Sequence, residues 1–177
     1  NFMKFYPGFV GGHCVTVDPI YLLHEQKRLE VSTNLLTSSS HINNNKFLEV
    51  TKFLKKKINL NKKTKILVLG ATFKENCSDL RNSGVINLIS SLNKYNVKVF
   101  LHDPYLKKKP KKLDFGCRFK FLKKLKSNNF DCIIISVPHR YYKKMGILKI
   151  KKITNNKNCL FLDLKSTFKK KLVDYQL

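Results

Sequence analysis

The sequence contains none of the long apolar runs that mark membrane proteins. No stretch approaches the roughly 20 apolar residues that span a bilayer. The first residues, NFMKFYPG, also have no basic segment followed by an apolar one, which is the pattern of a secretion signal. The five cysteines are odd in number and form no CxxC pair, so a disulfide framework is not indicated. We therefore expect a protein of the reducing cytoplasm that does not enter a membrane.

Acidic residues are scarce, and this scarcity gives the chain its large positive charge. There are 11 Asp and Glu against 36 Lys and Arg, a formal net charge of +25 at pH 7. Nucleic-acid binding is one interpretation. However, only four of the basic residues are Arg, the residue suited to bidentate recognition of phosphates and bases. Lys, Asn, Ile and Phe are all abundant, as an AT-rich coding sequence would produce, and we favour that compositional interpretation.

Short apolar runs alternate with amphipathic segments from about Asn61 onward. The pattern predicts strands and helices in turn: strands at 64–70, 97–101, 131–137 and 159–163, and helices from Ser83, around 121–125 and over 141–150. Strands that are apolar throughout and alternate with helices indicate a parallel sheet covered on both faces. We therefore predict an α/β fold, a doubly wound parallel sheet, for residues 61–177. Ligands of such sheets bind outside the carboxyl ends of the strands, which here are followed by 70–81, Asp103, 136–139 and 163–166.

The first 60 residues have a different pattern. Residues 1–18 read as a glycine-rich loop, and Asp18-Pro19 is predicted to start a helix, with Pro in the first turn. A second helix is predicted from about Ser38 to Ile58, with apolar residues along one stripe. We expect both apolar faces to pack on protein outside this chain or on a second subunit. The chain also lacks an initiator Met, so we expect it to begin inside a longer protein.

The first candidate site lies in residues 7–19, which contain three glycines, a single cysteine and a carboxylate four residues after it. Glycines let a backbone approach a ligand closely, and a thiol on such a loop is suited to act as a nucleophile. Three interpretations stay open: a nucleophilic Cys14, a structural turn with a buried Cys14, and a metal site using His13, Cys14 and Asp18. The metal site is least favoured, because adjacent His and Cys cannot easily direct both side chains at one ion.

The second candidate site is the connection between the first predicted strand and its helix, residues 70–83. Lys74, Arg81 and the helix N-terminus can together hold an anion there. The segment is not a GxGxxG fingerprint, and none occurs elsewhere in the chain. The alternative is a solvated loop with an Asp79–Arg81 surface pair.

Taken together, residues 5–23, FYPGFVGGHCVTVDPIYLL, and residues 70–89, GATFKENCSDLRNSGVINLI, resemble the C-terminal half of the UDP-glucose/GDP-mannose 6-dehydrogenase family of nucleotide-sugar dehydrogenases. Both segments look most like the branch that acts on UDP-N-acetylglucosamine or UDP-N-acetylmannosamine. The resemblance covers nearly the whole chain. After about Pro104 it is weaker, and only 136–139 and 163–165 are similar.

The resemblance implies an NAD-dependent, four-electron oxidation of a sugar C6 alcohol to a uronate, for surface polysaccharide synthesis. Cys14 would capture the intermediate aldehyde as a thiohemiacetal that is then oxidised to a thioester, and Asp18 would position or activate the hydrolytic water. Residues 61–177 would form a Rossmann-like domain that binds the UDP-sugar. Residues 1–60 would carry the catalytic loop and the end of a helical region through which the protein forms a homodimer.

The resemblance also implies which residues contact each ligand, and it implies no metal ion. Substrate contacts would come from both candidate sites and from one later lysine: Phe5, Tyr6, Pro7, Gly8, Phe9, Val10, Gly11, His13, Phe73, Lys74 and Lys165. Cofactor contacts would come from Cys14, Val17 and Arg81.

The chain departs from the family pattern in three places. Val17 stands where the UDP-glucose enzymes carry Lys, and the linker motif Arg-x-Ile-Asn-Asp appears as Ser-His-Ile-Asn-Asn at 40–44, without its substrate-binding Arg. The N-terminal NAD-binding domain is missing. We therefore expect the isolated chain to be inactive. The alternatives are a catalytically silent UDP-sugar-binding fragment, including one from a decayed gene, and, least favoured, a basic nucleic-acid-binding α/β domain.

Overall fold

A six-stranded parallel sheet forms the centre of the computed structural model, which describes residues 6–107 and 116–177. The strands are β1 (Lys65–Leu69), β2 (Lys98–His102), β3 (Lys120–Phe121), β4 (Cys132–Ile135), β5 (Leu160–Asp163) and β6 (Tyr175–Gln176). Their order across the sheet is β3-β2-β1-β4-β5-β6, and all five pairings are parallel. This is the strand order of the doubly wound Rossmann fold, so the predicted α/β architecture is confirmed.

Within the described ranges four α-helices accompany the sheet: α1 (Cys14–Arg28), α2 (Asn34–Lys57), α3 (Gly84–Asn93) and α4 (Arg140–Lys151). Alternate β1 side chains enter two separate cores, because successive side chains of a strand point to opposite faces. Ile66 and Val68 pack with α2 and α3, whereas Leu67 and Leu69 pack with α4. Among the described residues no helix combines the length and apolarity that crossing a membrane requires.

The start of α3 follows the sequence prediction. Ser83 is its N-cap, and the Ser83 hydroxyl accepts a hydrogen bond from the Val85 amide (3.3 Å). The same hydroxyl donates to the carbonyl of Ala71 (2.7 Å). One buried side chain therefore both begins the helix and holds the end of the preceding loop against β1.

The start of α1 differs from the prediction, because the helix begins at Cys14 and not at Asp18. Gly12 adopts φ 100°, a conformation that favours glycine. The Thr16 hydroxyl donates to the Gly12 carbonyl (2.6 Å) and closes the first turn. Pro19 consequently lies inside the helix, where it has no N–H to donate to the carbonyl one turn earlier.

The expectation that α2 packs on protein outside the chain is wrong for its C-terminal half. Val50 and Leu54 are fully buried in this chain's own core, against α3. The apolar stripe of the linker continues into the α/β domain and completes one face of it. In the N-terminal half of α2, by contrast, Leu35 and Ile42 are exposed, and α1 has no buried residue.

The lysine-rich segment around 121–125 was predicted to be helical, and this prediction is wrong. Phe121 pairs with Leu101 of β2 in parallel register, and the Leu122 amide donates to the Leu101 carbonyl (2.8 Å). Phe121 packs against the core beneath α3 and Leu122 against the core beneath α4. This alternation is that of a strand. A run of two residues is too short for its periodicity to be recognised in the sequence, and β6 was missed for the same reason.

A buried histidine joins β2 to α4. His102 Nδ1 lies 2.8 Å from the Tyr142 hydroxyl, which itself donates to the His102 carbonyl (2.8 Å). Because the hydroxyl hydrogen is used, Nδ1 acts as the donor in the first contact. Burial lowers the pKa of His102 to about 4; the Asp103 carboxylate opposes this shift and His139 adds to it.

Truncating Leu54 tests whether α2 belongs to the folded domain. We expect Leu54→Ala to lower the free energy of unfolding by about 2–5 kcal/mol, because it leaves a cavity in the core. Leu35→Ala makes the same chemical change at an exposed position of the same helix and should shift the free energy by less than about 0.5 kcal/mol. Urea denaturation of both variants measures the difference. Equal effects of the two substitutions would contradict the assignment of α2 to this core.

The buried His102 predicts a loss of stability in mild acid. An ordinary histidine has a pKa of 6.5, whereas folded His102 stays neutral down to about pH 4. The unfolded chain therefore binds more protons between these values, and stability falls as the pH drops through this window. Between pH 7 and pH 5 this one group should lower the free energy of unfolding by about 2 kcal/mol.

The control for this prediction is His102→Asn, which keeps a donor near the position of Nδ1 and does not titrate. Denaturation curves at pH 7 and pH 5 should show a smaller decrease in stability for this variant than for the wild-type chain. The same decrease in both proteins would show that His102 is not the source.

Candidate functional site

Loops from four strands meet at the carboxyl edge of the sheet, where the sequence predicted a binding site. The β1–α3 loop (residues 70–83) lies in the middle. The Ala71 amide in this loop donates to Asp103 after β2 (2.7 Å), and the Asn76 amide donates to His139 after β4 (2.9 Å). Asp163 ends β5 at the same edge. The predicted edge is therefore assembled as expected.

The cysteine loop (residues 6–13) packs directly on the β1–α3 loop. A Cβ atom at Gly12 would lie 2.8 Å from the Phe73 ring, and one at Gly11 would lie 2.5 Å from the Asn82 carbonyl oxygen. The Asn82 side chain donates to the Gly12 carbonyl (3.0 Å). Larger residues at these two glycines would separate the loops, so the contact requires glycine at both positions.

The cysteine and the aspartate of the first candidate site lie on one side of α1. Cys14 is the first residue of the helix and Asp18 follows it by four positions. Residues at this spacing are neighbours on a helix surface. Both are exposed, so a ligand can reach the thiol and the carboxylate together. A buried structural Cys14, one of the alternatives left open by the sequence, is not what the structure has.

A cleft of about 700 Å³ lies beside the cysteine loop at the point where the strand order reverses, between the β1–α3 loop, the start of α4 and the segment that follows β5. Its lining comes from the cysteine loop, the β1–α3 loop, the first turn of α4 and the segment after β5: Tyr6, Glu75, Lys143, Lys165, Ser166, Thr167 and Phe168. Ligands of doubly wound sheets bind at this reversal point.

Two lysines face one carboxylate in this cleft. Lys143 Nζ lies 2.6 Å from Glu75 Oε2. The side chain of Lys165 lies over Gly8, where a Cβ atom would be 2.5 Å from its methylene carbons. Burial lowers the pKa of Lys165, and the charge of Glu75 opposes that shift. With two ammonium groups and one carboxylate, the cleft has a surplus of positive charge and suits an anion.

A second cavity of about 630 Å³ lies between α1, α2 and the start of α3, and the cysteine loop lines it with Phe9 and Val10. Val17 and Arg81, two of the predicted cofactor contacts, both line it. The wall opposite α1 is held by Asn43, whose side chain accepts from the Val10 amide (3.2 Å) and donates to the Val10 carbonyl (3.3 Å). Cys14 thus begins α1 directly after the cysteine loop, which lines the first cavity with Tyr6 and the second with Phe9 and Val10.

Several predicted site residues have other contacts in the structure. Arg81 forms a two-point ion pair with Asp79, with Nε–Oδ1 and Nη2–Oδ2 distances of 3.0 and 2.7 Å. This pair, the alternative considered from the sequence, holds the pKa of the Asp79 carboxyl well below its usual value. His13 Nε2 lies 3.5 Å from the same carboxylate. Lys74 is exposed, with its ammonium 5.4 Å from the centre of the Phe73 ring.

The remaining residues of the cysteine loop divide between surface and core. Tyr6, Pro7 and Val10 are exposed. Phe9 is buried and packs against Gly84 at the start of α3, so its ring anchors the loop. Phe5 lies outside the described residues. No group of three or more His, Cys, Asp or Glu that could hold a metal ion occurs in 6–107 and 116–177.

Sequence reasoning gave no individual role to four polar contributors, Asn43, Glu75, His139 and Lys143, although the predicted binding edge includes Glu75 and His139. His139 and Asn43 had a signal, since one follows a strand at the binding edge and the other lies in the linker motif. Lys143 had none, because lysine is abundant throughout the chain. Its proximity to Glu75 depends on the docking of α4 beside the β1–α3 loop.

Comparison with known protein families gives two matches along the chain. Residues 67–170 match the UDP-binding domain of the UDP-glucose/GDP-mannose dehydrogenase family. Residues 1–45 match the central domain of the same family.

Curated relatives match over most of this chain. The UDP-N-acetyl-D-glucosamine 6-dehydrogenases of Salmonella typhi and Pseudomonas aeruginosa are 35% and 33% identical to it, each over 93% of this chain and 39% of their own length. The UDP-N-acetyl-D-mannosamine dehydrogenase of Methanocaldococcus jannaschii is 30% identical over 97% of this chain and 38% of its own. The chain thus spans about 39% of the length of the relatives that it matches.

Solved structures show the same fold. A UDP-glucose dehydrogenase from Pyrobaculum islandicum superposes with a TM-score of 0.77 at 17% identity, over 94% of this chain and 37% of that one. The UDP-N-acetyl-mannosamine dehydrogenase of Staphylococcus aureus gives a TM-score of 0.67 at 24% identity, over 99% and 39% of the two chains. The order of the strands and the two loops that meet at their carboxyl edge agree with these matches. The chain therefore belongs to the UDP-glucose/GDP-mannose dehydrogenase family and comprises segments of its central and UDP-binding domains.

Proposed function

We propose that the chain is the part of an NAD-dependent UDP-N-acetylhexosamine 6-dehydrogenase that binds the nucleotide sugar and supplies the nucleophile. One observation carries the proposal: Cys14 and Asp18 are exposed one turn apart at the start of α1, directly after a loop that packs against Phe73. The choice of an acetylamino sugar rests on the relatives from Salmonella typhi and Pseudomonas aeruginosa, which carry that name.

The UDP-sugar would bind in the 700 Å³ cleft, within residues 61–177. Lys165 and Lys143 would face the diphosphate, and Lys74 would approach it from the β1–α3 loop. Each offers an ammonium group to an anion that carries charge on both phosphates. Tyr6 and the backbone of the cysteine loop would then cover the sugar and direct its C6 towards Cys14.

The reaction would proceed in two oxidations and one hydrolysis. The C6 alcohol first loses a hydride and a proton and becomes an aldehyde. The Cys14 sulfur adds to the aldehyde carbon and gives a thiohemiacetal, which loses a second hydride and a proton to become a thioester. Asp18 positions a water molecule that attacks the thioester carbonyl, releasing the carboxylate and the free thiol.

NAD, when bound, accepts one hydride in each oxidation. Val17 and Arg81 line the 630 Å³ cavity between α1, α2 and the start of α3, a place that fits contacts to the edge of the cofactor. The chain has no GxGxxG loop to hold the pyrophosphate of NAD, so we assign the body of the cofactor to a separate N-terminal domain. Arg81 would have to release Asp79, or keep it as a bridge, when the cofactor binds.

Residues 1–60 would also provide the subunit contact. The N-terminal half of α2 exposes Leu35 and Ile42, and we propose that these side chains belong to the interface of a homodimer. The uronate product would serve the synthesis of surface polysaccharide.

A second candidate is a fragment that binds UDP-sugars without oxidising them. It is favoured by the Ser-His-Ile-Asn-Asn sequence at 40–44, which lacks the family's substrate-binding Arg, and by the Arg81–Asp79 ion pair, which occupies a predicted cofactor contact. The two candidates make the same prediction for UDP binding and opposite predictions for the reduction of NAD.

Adding an N-terminal domain tests the enzyme assignment. The chain alone should bind UDP, as measured by titration calorimetry. Without the added domain it should produce no NADH. Joined to the N-terminal domain of the Salmonella typhi relative, it should reduce two NAD for each UDP-N-acetylhexosamine consumed, measured as absorbance at 340 nm. The relative's own C-terminal half, joined in the same way, is the positive control. UDP binding without any NADH, while the control is active, would favour the silent fragment.

Replacing the nucleophile tests the role of Cys14. In the joined protein, Cys14→Ser should lower uronate formation by at least about 10³-fold. The hydroxyl is a weaker nucleophile than the thiol, and the oxygen ester that it would form is hydrolysed less readily than a thioester. Cys117→Ser is the matched control: Cys117 is half-buried against the core beneath α3 and should leave the rate within about twofold. Chromatographic assay of the uronate measures both. Normal uronate formation by the Cys14 variant would remove the covalent mechanism.

A further inference from the structure

Asp103 and His139 form a buried pair at the carboxyl edge of the sheet that the proposed chemistry does not use. His139 Nε2 lies 3.0 Å from Asp103 Oδ2, and neither side chain is accessible to solvent. Burying a carboxylate and an imidazole costs free energy unless their polar atoms are hydrogen-bonded. The other hydrogen bonds of the pair therefore indicate what it serves.

Most of those hydrogen bonds go to one short segment of the β1–α3 loop. Asp103 Oδ2 accepts from the amides of Ala71 (2.7 Å) and Thr72 (3.4 Å). His139 Nδ1 accepts from the amide of Asn76 (2.9 Å). The two side chains thus hold both ends of residues 71–76 by their backbone.

These contacts require one tautomer of His139. A ring nitrogen that accepts from a backbone N–H carries no proton, so Nδ1 is the acceptor and Nε2 is the donor to Asp103. The Asp103 carboxylate fixes the orientation of the His139 ring, and the ring in this orientation accepts the hydrogen bond from the Asn76 amide. The amide of Asn76 is thereby connected to β2 through two side chains.

Asn76 itself is tied to α4. It adopts φ 57°, in the left-handed region that asparagine tolerates. Its side-chain oxygen accepts from the amide of Arg140 (2.8 Å), the first residue of α4, and from the Tyr105 hydroxyl (3.1 Å). Asn76 therefore binds the β1–α3 loop both to the start of α4 and to the turn after β2. It lies next to Glu75, which lines the 700 Å³ cleft.

Phe73 and Lys74 lie inside the held segment, and the Phe73 ring lies against Gly12 of the cysteine loop. The Lys74 carbonyl accepts from the Thr72 hydroxyl (2.8 Å), which fixes its backbone, while its ammonium group is exposed. We propose that His139 is a positioning residue: it holds residues 71–76 so that Phe73 covers the glycines of the cysteine loop and Lys74 is presented to a nucleoside diphosphate. This inference rests on the proposed function for the ligand of Lys74.

Two substitutions separate the bonds that His139 makes. His139→Gln places an amide nitrogen near the position of Nε2 and keeps the donor to Asp103, but it offers no acceptor to Asn76. His139→Asn places an oxygen near the position of Nδ1 and keeps that acceptor, but it does not reach Asp103. Each variant of the chain is titrated with UDP, and hydrogen exchange of the Asn76 amide is followed by NMR, with Lys74→Ala as a second background.

We expect His139→Gln to weaken UDP binding by about tenfold and to speed exchange of the Asn76 amide by about tenfold or more. His139→Asn should stay within about threefold of the wild-type chain in both measurements. On the Lys74→Ala background, His139→Gln should change UDP affinity by less than about twofold, because residues that act through one another do not contribute independently. A general loss of stability would not produce this pattern.

Three results would overturn the proposal: unchanged exchange of Asn76 in His139→Gln, equal weakening by the Gln and Asn variants, or effects of His139→Gln and Lys74→Ala that multiply. If the wild-type chain binds no UDP, the proposed function fails. Exchange of the Asn76 amide then decides the positioning role by itself: faster exchange in the Gln variant alone supports it, and equal exchange in all three proteins removes it.

Discussion

The contact between the Phe73 ring and the backbone of the cysteine loop is the constraint on which the candidate site depends. Gly11 and Gly12 have no space for a Cβ atom beneath Phe73 and the Asn82 carbonyl, and this close approach brings α1 to the edge of the sheet. Cys14 follows Gly12 by two residues, so the contact at Gly12 determines where Cys14 lies. Asp18 then follows from the helix, since residues four apart share one side.

The contact in turn depends on buried, hydrogen-bonded residues at the ends of the β1–α3 loop and beside it. Ser83 fixes one end of the β1–α3 loop through Ala71, and the Asp103–His139 pair fixes the other part through Asn76. Buried hydrogen-bonded side chains are costly to leave unpaired, so they specify one loop conformation rather than several. The exposed lysines of the site can therefore vary in rotamer while the backbone that carries them stays in place.

Only a small part of the chain's positive charge lies in the candidate site. In the cleft, Lys143 and Lys165 share a single carboxylate, and this local surplus can attract a diphosphate. The other ion pairs of the site reduce charge: Arg81 is held by Asp79. Buried sheet residues and glycine contacts account for the architecture without any contribution from the net charge of +25, because long-range charge affects association and solubility rather than fold.

The amino-acid sequence was sufficient to predict the alternation of strands and helices, and hence a doubly wound parallel sheet with its binding edge. It also determined the Cys14–Asp18 spacing and the Ser83 cap, because all of these depend on residues close in the chain. Three features became visible only in the folded chain: α1 begins at Cys14, β3 replaces a predicted helix, and Asn76 meets His139, 63 residues away. Such contacts depend on strand order and helix docking, which local periodicity does not encode.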